Sequence, residues 1–139
     1  MKKTLFIFTL CIIATQIFAQ NTNIQHKGHF YNKEYGIHLN INLYEETLEI
    51  PGYKFLGNVH GYMNGQIYGT WFLTKHEILE NQAKLRFSND QGADSQTIII
   101  SHPNDSTLHY RAIDGNNIKR VEKKKLVKIP QELTFRRIK

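Results

Sequence analysis

Cysteine is nearly absent from this chain: Cys11 is the only one in 139 residues. It lies inside an N-terminal stretch with the layout of a secretory leader, so its removal would leave no disulfide, thiol nucleophile or cysteine metal site. The one long apolar run, Leu5 to Ile13, is broken by Thr9 and is too short to span a bilayer. No amphipathic helix, internal repeat or low-complexity segment is apparent. No histidine spacing matches a metal motif, and Ser101-His102 and Asp105-Ser106 have no nucleophile-elbow context. These absences argue against an enzyme and leave no expected cofactor or metal.

The basic start Met1-Lys2-Lys3, the apolar run and the small residue Ala19 place cleavage between Ala19 and Gln20. Lipidation at Cys11 is disfavoured by the bulky Leu10 before it. The expected organisation is a signal peptide over 1–19 and a single domain over 20–139, a length that can bury one real core. Export to the periplasm or beyond follows. Without disulfides, the periplasm suits the chain better than a harsher extracellular medium.

Formal net charge is +6 for the whole chain. It is unevenly placed: residues 119–139 carry nine Lys and Arg against two acidic residues, while 20–118 carry seven against ten. The basic end, with Lys123, Lys124, Lys125, Arg136 and Arg137 as its candidate contact residues, would suit lipid head groups, acidic glycans or an acidic protein. An exported protein has little access to nucleic acid. Such runs also serve as solvated strand edges, where lysine discourages edge-to-edge aggregation.

Short alternating segments fill the rest. Ile37, Leu39, Ile41 and Leu43 alternate with polar residues over eight positions, the mark of a half-buried strand. Similar signals occur at 28–31, 48–50, 83–87, 97–100, 107–113, 118–121, 126–129 and 133–137. Residues 75–80 fit either a strand or one helical turn. The pattern is all-β, an antiparallel up-and-down barrel of eight to ten short strands, with a β-sandwich as the alternative.

The densest aromatic stretch, Gly52 to Thr74, has Asn64-Gly65 at its centre, a dipeptide suited to a tight hairpin turn. A two-residue turn there would set Gly57 opposite Phe72, Gly61 opposite Tyr68 and Gly69 opposite His60, with Tyr62 near Ile67 and Leu56 near Leu73. Asn58, His60, Tyr62 and Trp71 would then share one face. Both faces are substantially apolar, so either one would suit the interior. If the face with Trp71 points inward, those four residues would be the polar and aromatic lining of a ligand pocket.

The pattern resembles the small barrels of lipocalins and fatty-acid-binding proteins, and small barrels exported by Gram-negative bacteria. The lipocalin Gly-x-Trp signature is replaced by Gly28-His29-Phe30. The reading implied is a non-catalytic binding protein holding an apolar or amphipathic small molecule. The alternative is a periplasmic protein-interaction module, of the inhibitor or immunity type, acting through an exposed apolar and basic surface. The tripeptide Asp105-Ser106-Thr107 also resembles a short O-glycosylation motif of exported proteins.

Overall fold

Alternation of apolar and polar side chains lets one sheet bury one face against itself by closing, and closure removes the unpaired edges. The computed structural model describes residues 24–91 and 93–138 and has this form. The expected signal peptide, 1–19, and Cys11 lie outside the described residues. The strands are β1 (Lys27–Asn32), β2 (Ile37–Asn42), β3 (Leu48–Glu49), β4 (Asn58–Val59), β5 (Gly61–Gly65), β6 (Trp71–Ile78), β7 (Gln82–Asn89), β8 (Ser95–Asn104), β9 (Thr107–Ile113), β10 (Lys119–Glu122), β11 (Lys125–Lys128) and β12 (Glu132–Ile138).

Eight of them close into an antiparallel up-and-down barrel in the order β1-β2-β5-β6-β7-β8-β9-β12, with β12 pairing back onto β1. The other four form two separate two-stranded ribbons, β3-β4 between β2 and β5, and β10-β11 between β9 and β12. Chain order and neighbour order therefore agree throughout the barrel.

Inward rows are apolar and outward rows mixed. Phe30, Ile37, Leu39, Met63, Trp71, Leu85, Phe87, Ile98, Tyr110 and Phe135 are each no more than 1% exposed, and all join one core. Ile118 and Ile129 close one end. Gln96 ties that end together: its amide nitrogen donates to the Ile113 and Gly115 carbonyls, and its oxygen accepts the Asn117 N–H at 2.6 Å. At the other end lie Leu43, His26 and Arg137.

The central hairpin differs from its expected register. Tyr62 pairs with Phe72 and Met63 with Trp71, so the chain turns back over residues 66–70 and Asn64-Gly65 is not a two-residue turn. Gly65 stays in β5, paired with Ile37. Its φ of 110° and the Gly36 carbonyl oxygen, which would collide with any Cβ, explain the glycine. Tyr68 lies before β6 and so does not pair with Gly61, which on its other side pairs with Ile41 of β2. The shift amounts to an odd number of residues, which turns one strand's side chains to the opposite face relative to the other's.

Residues 75–78 continue β6 as strand. A β-bulge between Leu73 and Lys75 inserts one residue, and Thr74 uses its hydroxyl to donate to the Arg86 carbonyl at 3.1 Å. The bulge breaks the period-two pattern there and puts His76 opposite the inward Leu85.

Candidate functional site

The four residues expected to line a pocket do not come together inside the barrel. Trp71 points inward against Met63, 1% exposed, and its indole N–H donates to the Tyr68 carbonyl at 3.3 Å. Tyr62, one residue before Met63, is on the outer face, half-buried, and burial raises its hydroxyl pKa. Asn58 is exposed and pairs with Glu49 in the β3-β4 ribbon. His60 sits at the bend after β4, where Nδ1 donates to the Asn42 carbonyl at 2.9 Å and so carries the proton in the neutral ring.

Nor do the five basic residues form one patch. Lys123 and Lys124 make the tip of the β10-β11 hairpin, and Lys125 opens β11. Arg136 points outward from β12. Arg137 folds over the barrel end, its guanidinium 4.6 Å from the Phe30 ring centre, donating to the Asp105 carbonyl at 2.8 Å and to the Lys27 carbonyl. It is a structural plug rather than a free cation.

Histidines separated widely in sequence are instead gathered in pairs. His26 Nδ1 lies 3.1 Å from His102 Nε2, and His29 Nε2 lies 2.8 Å from His38 Nδ1. The His60 and His76 rings are 4.6 Å apart. Strand register places His29 and His38 on neighbouring strands, with Tyr31 stacked on His38 at 4.5 Å. Two imidazoles in contact share one proton well and two extra protons badly. Burial lowers the pKa of His26, burial and then His38 lower His29, and burial and then His60 lower His76. His102 is lowered to about 4 by burial, then by the charges of His26 and Arg137. No spacing rule links residues such as 26 and 102, so this feature needed the fold. Among the described residues no three His, Cys, Asp or Glu side chains gather as a metal site would need.

A cavity of about 950 Å³ forms an open groove on the outside of the wall formed by β1, β12, β9 and β8. Tyr31, Tyr35, Ile99 and Ile138 give it apolar surface, Arg111 and Arg136 give it cationic groups, and His109 adds an imidazole. Lys33 adds a further positive charge and Glu34 and Glu132 two negative ones. Arg111 lies across from Glu132 in the sheet, yet the one ion pair among the described residues is Arg120 with Glu122, 2.8 Å. Both groove guanidiniums are therefore uncommitted. A second pocket, about 170 Å³, lies on the outward side of β6 and β7 around Lys75, Glu77, Lys84 and Arg86. Sequence reading placed Arg136 on a basic surface but missed Arg111 and the tyrosines, because the groove joins residues from separate strands.

Fold and surface together define an eight-stranded up-and-down β-barrel protein with a side-chain-filled interior and an external groove. Comparison with protein-family models, with curated proteins and with solved structures finds no match to this chain.

Proposed function

We propose that the protein is an exported, non-catalytic binding module that takes its partner on the outside of the barrel. The occupant argued for is a protein segment bearing carboxylates beside apolar side chains, seated in the groove between β1, β12, β9 and β8. The observation that carries this reading is the occupation of the interior. Trp71, Tyr110, Phe30, Phe87 and Phe135 fill the space where a lipocalin-like barrel would hold a small molecule, while the roomy, polar-rimmed cavity lies outside.

The groove's chemistry supports the choice of occupant. Arg111 and Arg136 offer planar donors to carboxylates and form no ion pair with the neighbouring Glu34 or Glu132, and Tyr31 and Tyr35 offer rigid contact area at low entropic cost.

Amide-resolved NMR titration with a short peptide alternating glutamate and leucine tests the reading, with a fatty acid titrated in parallel. Saturable shifts at Tyr31, Arg111, Thr134 and Arg136, abolished by Arg111→Glu with Arg136→Glu, are expected. Absence of such shifts, or fatty-acid shifts centred on inward-facing Phe30, Leu85 and Trp71, would overturn it.

A further inference from the structure

The β10-β11 hairpin belongs neither to the barrel wall nor to the groove. Every residue from Val121 to Lys128 is exposed, so the ribbon stands clear of the body. It is held only near its base, where the Lys119 carbonyl accepts the Tyr68 N–H at 2.7 Å and Arg120 lies 4.9 Å from the Tyr35 ring centre. An isolated two-stranded ribbon is marginal in water. This one nevertheless leaves Val121 64%, Leu126 49% and Val127 38% exposed.

The cross-strand register arranges these side chains. Val121 and Leu126 are direct partners and share a face with the partners Lys119 and Lys128. The apolar pair thus lies between a lysine pair at the base and the lysines of the tip. Residues 119–128 carry six Lys and Arg against Glu122 alone, and Glu122 is tied to Arg120.

A second observation comes from the turn. Lys123 and Lys124 have φ of 49° and 64°, the left-handed conformation that a two-residue hairpin turn asks for and that Asn-Gly satisfies without strain. Lysine at both positions is a local sacrifice of stability, and such strain concentrates where function needs the side chain.

We infer that this hairpin docks on the surface of an anionic lipid bilayer, with Val121 and Leu126 entering the head-group layer and the surrounding lysines meeting lipid phosphates. The charge is complementary to such a surface. A fluid interface can envelop a bare ribbon exposed on both sides, where a protein partner would need a matching cleft. This inference concerns a surface separate from the groove and does not depend on what the groove binds.

Cosedimentation with vesicles of phosphatidylcholine, with and without phosphatidylglycerol, tests it. All chains compared share residues 1–120, so the apolar Leu5–Ile13 stretch contributes equally. Phosphatidylglycerol is expected to raise binding above that to neutral vesicles, by an amount that falls steeply as salt rises. Lys123→Asn with Lys124→Gly relaxes the turn, so the fold should be at least as stable, while the loss of two cations should weaken binding about 25-fold, roughly fivefold each. Val121→Ser with Leu126→Ser should weaken binding and leave its salt dependence unchanged. Equal binding to neutral vesicles, or undiminished binding by either double variant, would overturn the inference. So would polyglutamate binding as tightly as the vesicles through the same lysines, which would favour an acidic protein surface.

Discussion

Lowering the pH from about 7.5 to about 4.5 offers protons to histidines that the fold holds neutral. His102 sets the scale. Its pKa falls from 6.5 to about 4 through burial, then the nearby charges of His26 and Arg137. The unfolded chain takes the proton near 6.5, whereas the folded chain waits until about 4. The contribution is therefore fully present above the unfolded value, declines as pH falls through this window, and levels off below the folded one. The full shift would correspond to about 3 kcal/mol, and because the ring keeps partial exposure, solvent screening brings this to about 1–2 kcal/mol.

Geometry explains the sign. The His26–His102 contact at 3.1 Å needs one donor and one acceptor. A first proton leaves that arrangement intact, while a second sets N–H against N–H beside Arg137. The lowered pKa values of His26, His29 and His76 act in the same direction. Urea unfolding at the two pH values is the assay. The midpoint should be lower at the acidic value, and His102→Asn should reduce the difference. A midpoint that is unchanged or higher in acid would refute the reasoning, as would a His102→Asn variant whose midpoint falls as far as the parent's.

Three substitutions probe the packing by denaturant unfolding. Trp71→Ala should cost about 3–5 kcal/mol, because a tightly packed ring leaves a cavity its neighbours cannot refill; a loss below about 1 kcal/mol would mean a roomy interior. Arg137→Ala removes the hydrogen bonds to the Asp105 and Lys27 carbonyls and the contact with Phe30, and should cost about 2–3 kcal/mol. Gly65→Ala forces a Cβ toward the Gly36 carbonyl at a φ of 110° and should cost about 1–3 kcal/mol; a neutral effect would contradict the close strand approach.

Much of the barrel was legible because period-two alternation is a local property. Ile37, Leu39, Ile41 and Leu43 alternate without interruption, and each faces the core. The strand at 107–113 follows the same rule and appears with those bounds. Where the rule is broken by one residue, reading fails. The bulge at Thr74 made 75–80 ambiguous, and Asn64-Gly65 drew the hairpin register to a turn that the chain does not make. That glycine answers to the neighbouring strand β2, a constraint invisible to local pattern. The same odd shift dispersed the expected pocket by sending Trp71 inward and Tyr62 outward. The histidine pairs and the groove depend on which strands become neighbours, information that residue spacing does not hold.

The central claim is that the barrel interior is packed core and that binding occurs outside it. Trp71 is the only tryptophan and lies within that interior, so its emission reports directly. Titration with fatty acids, sterols and isoprenoids should leave a blue-shifted, poorly quenched emission unchanged. A saturable shift of Trp71 emission with any of these ligands would place a ligand inside the barrel and contradict the account.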